Sequence, residues 1–139
     1  MSVSGGLVAK TLLAVNGTLM RGLELNPNLL AVGATFVRED QTAACYRIWS
    51  IGDRHPAMLR TPGEGAAVAL ELWDVPLDGL ATILQNEPPG LAIGKVVLHD
   101  GSIVLGVLGE PFLCERQREI TAYGGWRAYI AAQQSPAPS

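Results

Sequence analysis

Two cysteines and two histidines in 139 residues permit at most one disulfide and are too few for a cysteine-built zinc site. Cys45 and Cys114 stand in apolar company, beside Ala44 with Tyr46 and beside Leu113, and are expected as buried free thiols. His55 and His99 lack ligand spacing and sit next to turn residues, Asp53 with Pro56 and Asp100 with Gly101, so both are expected as solvent-facing loop side chains. Neither a metal nor an organic cofactor is expected, since no phosphate-cradling glycine motif is present either. Charge is also scarce. The 10 basic and 13 acidic residues are dispersed with no stripe of one sign, and without a basic stripe there are no counterions to release from a phosphate backbone, which argues against a nucleic-acid partner. No segment approaches the roughly 18 uncharged apolar residues of a membrane span, and the opening Met1-Ser-Val-Ser-Gly-Gly-Leu7 has no basic n-region. A soluble, cytoplasmic chain is the expectation.

Apolar residues reach 48%, enough for one generous core at a length where about two-thirds of the unfolded surface is buried. With no repeat or linker, a single domain is expected over residues 1–133, followed by a disordered tail at 134–139 that ends Ser135-Pro-Ala-Pro-Ser139. Leu7 to Val15 reads as a buried strand, and Asn16-Gly17 ends it with residues that tolerate positive φ. Asn26 as N-cap with Pro27 at the first helical position opens a short helix to about Val32, closed by Gly33. Period-two patterning follows over Ala34 to Arg38, Ala43 to Ile51, Met58 to Arg60 and Ala66 to Val75; in the second of these Tyr46, Ile48 and Ser50 share one face. Leu77 to Gln85 carries Leu77, Leu80, Ala81 and Leu84 at helical spacing. Beyond Pro88-Pro-Gly90, Leu91 to Leu98 and Ser102 to Leu108 pair as a hairpin whose Asp100-Gly101 supplies positive φ angles. A last helix, Trp126 to about Gln133, follows Gly124-Gly125. The class is α+β, a small mixed sheet curled into a barrel with two or three short helices.

Two stretches carry a family resemblance. The ending Ile120-Thr-Ala-Tyr-Gly-Gly-Trp-Arg-Ala-Tyr-Ile130 resembles the closing segment of the C-terminal domain of bacterial allophanate hydrolases. Val15-Asn-Gly-Thr-Leu-Met-Arg-Gly22 looks like the substrate-binding loop of the wider γ-glutamyl cyclotransferase-like fold to which that domain belongs. The likeness to the allophanate hydrolase domain extends over Leu12 to Gly33, Arg60 to Gly101 and Pro111 to Ile130, and it implies a γ-glutamyl cyclotransferase-like barrel.

The resemblance also implies a site. In such folds the amides of the loop after the first strand hold an anion of the substrate, which places Asn16, Gly17, Thr18 and Leu19 around a small anionic ligand; Arg21 offers a cationic arm, and Tyr123 a hydroxyl beside a glycine pair. Cyclotransferases use a glutamate after the helix that follows the central strands, and Glu87, in Gln85-Asn-Glu-Pro-Pro-Gly90, falls at or beside that position as acid/base. Against it stands a solvated carboxylate at a helix C-terminus, a mildly unfavourable place for negative charge. The allophanate hydrolase domain decarboxylates N-carboxyurea, the product of a partner amidase domain, and its Leu-Asn-His-Gln-Leu helix entry supplies the histidine proposed for that step. This chain reads Leu25-Asn-Pro-Asn-Leu29, and Pro27 takes up no proton.

Three readings follow. One is a stand-alone relative of that domain working on a small amide, carbamate or urea-like acid, with a separately encoded amidase as its partner. Another is a γ-glutamyl cyclotransferase releasing 5-oxoproline with Glu87 as acid/base. The third is a non-catalytic assembly or partner-binding module.

Overall fold

The computed structural model describes residues 9–134, so the start of the expected first strand at Leu7 and the tail from Ser135 lie outside the described residues. Strand β1 (Lys10–Val15) is buried at Leu13, Ala14 and Val15 because it runs through the middle of a five-stranded sheet. The other four strands are β2 (Thr35–Gln41), β5 (Ala69–Pro76), β6 (Leu91–Val97) and β7 (Ile103–Gly109), and the order is β2-β5-β1-β7-β6. β1 runs antiparallel to β5 and parallel to β7, while β6 and β7 form the expected hairpin. Of its Asp100-Gly101 pair only Gly101 takes positive φ; Asp100 instead accepts hydrogen bonds from the Ser102 N–H and hydroxyl.

β3 (Tyr46–Ile51) and β4 (His55–Arg60) make a second sheet with the two-residue β8 (Arg118–Glu119) in the order β4-β3-β8. The alternation read in β3 is realised, with Tyr46, Ile48 and Ser50 buried and Arg47, Trp49 and Ile51 half-buried. The outer strands β2 and β6 of the larger sheet meet at an antiparallel bridge, Thr42 to Leu98, flanked by bonds from Ala43 N–H to the Val97 carbonyl and from His99 N–H to the Gln41 carbonyl. The curl expected from strands apolar on both faces is present, but these few bonds pin the edges together without a continuous ladder, so the barrel is not closed.

Helix α1 (Asn26–Ala31) starts at Asn26 with Leu25, not Asn26, as its N-cap residue; no side chain caps it, and the Asn26 Nδ2 instead donates to the Leu19 carbonyl at 2.9 Å. It ends at Gly33, whose φ of +81° is the left-handed conformation a helix terminus favours in glycine. α2 (Leu77–Gln85) follows β5 without a break, and α3 (Trp126–Gln134) follows Gly124-Gly125. Two short 3-10 turns, Pro111–Cys114 and Thr121–Tyr123, and the strand β8 were not legible in the periodicity. Both cysteines are free but only half-buried, Cys45 packing against the core and Cys114 closing the 3-10 turn at Pro111–Cys114. His55 is not a loop residue: it opens β4 and is half-buried, whereas His99 stays in its turn, exposed and 3.2 Å from Asp40.

Candidate functional site

The chain leaves β1 through Asn16-Gly17-Thr18-Leu19, and each of these residues is fixed by a separate contact. Asn16 is buried and donates from Nδ2 to the Val107 carbonyl of β7 at 2.9 Å, tying the loop to the neighbouring strand. The carbonyls of Gly17, Thr18 and Leu19 accept from Met20 N–H, Leu25 N–H and the Asn26 side chain. The N–H groups of the same three residues are spent on none of these bonds, so the loop keeps its acceptors engaged and its donors available. Gly17 is needed here for a reason other than the positive φ expected of it: a Cβ would stand 2.5 Å from Cδ of Pro56, so the loop rests directly against the start of β4.

Glu87 arrives from the other side. α2 is capped at Asn86, whose Nδ2 donates to the Thr82 carbonyl, and Glu87 follows with its N–H on the Leu84 carbonyl before Pro88-Pro89 stiffens the chain. The Glu87 Oε2 is buried with no hydrogen-bond partner. Burial alone pushes its carboxyl from the ordinary 4.5 up to about 7, because no neighbouring cation or donor compensates for lost hydration. An unpaired buried carboxyl of this kind is costly to fold around and is common where proton transfer occurs.

The loop and the carboxyl share a small inner recess of about 10 Å³, room for a single water-sized group, walled also by His55, Pro56 and Val107. Thr18, His55 and Glu87 also border a wider outer recess of about 470 Å³, reaching Glu24, Arg54 and Pro89. His55 Nδ1 lies 3.1 Å from the Pro56 carbonyl, which can only accept, so Nδ1 carries the hydrogen and Nε2 remains for other contacts. With a carboxyl poised near neutrality beside free amide donors, the arrangement can hold a carbonyl or carboxylate oxygen and move one proton next to it.

The other two candidates lie elsewhere. Arg21 donates from its backbone and Nε to Glu71, reaches Glu39 at 2.8 Å, and stacks on Phe36 with its guanidinium 3.7 Å from the ring centroid. Tyr123 borders a separate cavity of about 360 Å³ with Glu71, Gly125 and Trp126, packs edge-on against Tyr129, and accepts from Arg118. Pro27 is exposed on the first turn of α1 and lines neither recess of the site. Sequence reasoning missed Arg54 and His55 as lining residues. It also missed Glu71, buried in β5, which accepts from Arg21, Trp73 and Arg127. Burial pushes the Glu71 carboxyl upward, but the Arg21 N–H, the Trp73 indole and the Arg21 guanidinium outweigh it and hold the group below the ordinary range. A lone glutamate inside the apolar run Val68-Ala-Leu-Glu-Leu-Trp73 was the available signal.

Among the described residues no helix is long and apolar enough to cross a membrane, and no three His, Cys, Asp or Glu side chains cluster as metal ligands.

The family model of the allophanate hydrolase C-terminal domain matches residues 11–131. A urea amidolyase of Lachancea kluyveri is 32% identical over 125 residues, which is 85% of this chain and 7% of that protein, so the chain spans a small fraction of the curated relative it matches. Among solved structures, a uropathogenic E. coli-specific protein superposes with a TM-score of 0.87 at 60% identity over 88% of this chain and 97% of its own. Kluyveromyces lactis allophanate hydrolase does so with a TM-score of 0.85 at 29% identity, over 91% of this chain and 22% of its own.

Proposed function

The chain belongs to the allophanate hydrolase C-terminal domain family, and from that premise we propose that the Asn16–Leu19 loop and Glu87 form the binding site for a small anionic amide, carbamate or urea-like compound. One observation carries the reading: Glu87, whose Oε2 is buried without a hydrogen-bond partner, lines the same recess as the loop whose carbonyls, and not its amides, are engaged. In it the loop N–H groups take a ligand oxygen, and Glu87 exchanges a proton with the nitrogen or oxygen beside the carbonyl. The K. lactis allophanate hydrolase carries the like of this chain over 22% of its length, which supports partnership with a separately encoded amidase.

A second reading draws on the same carboxyl. In a γ-glutamyl amine the substrate's own α-amine attacks its γ-carbonyl carbon; Glu87 accepts the proton that the amine loses and returns one to the departing amine as the γ-amide C–N bond breaks, giving 5-oxoproline. Decarboxylation through a histidine at the entry to α1 is disfavoured by Pro27, which has no group for proton transfer.

The test is turnover by the purified chain of an N-carboxyurea-type acid, read as carbon dioxide release, and of a γ-glutamyl amine, read as 5-oxoproline, each repeated with Glu87→Gln. Turnover abolished by the substitution supports proton transfer by Glu87 and identifies the substrate class. Turnover that survives it places the acid elsewhere. Silence on both, with an amidase recovered in stable complex, supports a non-catalytic partner-binding role.

A further inference from the structure

The cationic arm expected from Arg21 is spent on Glu71 and Glu39, which leaves the question of what reads the charge of an anionic ligand. Arg38 and Arg47 are likewise paired with carboxylates, and Arg127 with Glu71. Arg54 differs. It borders the outer recess, it is exposed, and among the described residues it makes no ion pair.

Arg54 is also carried on an anchored turn. Gly52 and Asp53, between β3 and β4, both adopt left-handed backbone with φ of +60° and +58°; for a non-glycine residue this is uncommon and needs support. The support comes from three directions. Ser50 donates from its hydroxyl to Asp53 Oδ1 at 2.6 Å and accepts from the Asp53 N–H, Tyr129 of α3 donates to the same Oδ1 at 2.6 Å, and Gln117 accepts from the Gly52 N–H at 3.0 Å. Asp53 is thereby tied to Ser50 and α3 while the next two residues, Arg54 and His55, border the recess. Pro56 follows and rests on Gly17, so the turn and the amide loop are set relative to one another by direct contact.

We propose that Arg54 is the specificity-determining residue of this site, holding the ligand's carboxylate in the outer recess while its amide or urea carbonyl enters the inner one beside Glu87. The ligand class is then narrower than a small anion: an acid whose carboxylate is separate from the reacting carbonyl and joined to it by a short linker. The assignment rests on the site proposed above, and its test keeps the two apart.

N-carbamoylglycine, a ureido acid, and its uncharged primary amide serve as probes, titrated into isotopically labelled full chain with amide shifts as the readout and with Arg54→Gln and Arg54→Lys alongside. Arg54 is exposed, and an unchanged melting temperature checks that the variants fold. The expected result is that both probes shift Gly17 to Leu19, that the acid binds about tenfold more tightly than the amide, as a charge-assisted contact would give, that Arg54→Gln removes this preference by weakening the acid alone, and that Arg54→Lys keeps part of it. A preference for the acid that survives Arg54→Gln overturns the assignment while leaving the site intact. No shift at Gly17 to Leu19 from either probe in the unmodified chain overturns the site and the assignment with it.

Discussion

Replacing Glu87 by glutamine should make the protein more stable at alkaline pH, and the size of the gain follows from the burial of its carboxyl. Burial raises the group from 4.5 to about 7, so between these values the folded chain holds a proton that the unfolded chain has released. Stability contributed by the neutral acid is complete below the unfolded value, falls as pH rises through the window, and is lost above about 7. At about 1.4 kcal/mol per pH unit, the ionised carboxylate burdens the folded state by about 3 kcal/mol. Glutamine has nearly the same shape and never ionises. The stability of Glu87→Gln relative to the unmodified chain should therefore be near zero around pH 4.5 and climb to about 3 kcal/mol by about pH 8, a melting-temperature difference of roughly 10 °C for a chain of this size. Denaturant melts at a series of pH values measure it. Carboxyls held below their ordinary range, Asp53, Glu71, Asp100 and Glu119, destabilise both proteins alike on acidification and cancel in the difference. A difference that stays flat across the window would show that water or a donor reaches Oε2, and the argument for proton transfer at neutral pH would fall with it.

Gly17→Ala should cost about 1–3 kcal/mol, the usual penalty of forcing an added methyl into filled space, because its Cβ would meet the Pro56 ring at 2.5 Å; Pro56→Ala in the same chain should recover most of the loss, as a double-mutant cycle would read. Glu71→Ala should cost about 1–3 kcal/mol by leaving the buried Trp73 indole without its acceptor, seen in equilibrium unfolding, since Arg21 and Arg127, which also donate to it, are half exposed and stay hydrated. Any turnover that uses Glu87 should show a break in its pH-rate profile near 7. Prolonged chelation should leave melting temperature and turnover unchanged, and a fall in either would reveal a metal site.

Much of the fold was legible because it is written in local signals. The β6–β7 hairpin, the α2 span and the inward face of β3 depend on turn chemistry and periodicity within a few residues. What escaped depends on residues far apart. β8 is two residues long and exists only because Trp49 and Ser50 lie beside it, and Asn26 spends its amide on the Leu19 carbonyl, seven residues back, instead of capping α1. The same holds at the site. The loop and Glu87 were approachable through motif and position, but His55 looked like a turn histidine, and its place at the recess is fixed by Pro56 meeting a glycine 39 positions earlier in the chain. Arg21 read as a ligand arm because it follows the loop; its carboxylate partner lies on β5, 50 residues on.

The bond from Asn16 to Val107 has a consequence in time. Residues 16–19 emerge among the first of the described chain, yet the loop is held by a carbonyl on β7, 91 residues later, and the opposing turn by a tyrosine on α3, 76 residues after Asp53. Nothing local can shape the recess in advance. A ribosome-bound chain ending before β7 would have the loop's local bonds to Met20, Leu25 and Asn26 but not the wall of the recess, and contacts of such long separation make folding slow relative to helical chains of equal length. The assembled recess should therefore appear late, after α3 has docked, and a chain arrested before that point would present strands with open edges and an incomplete recess.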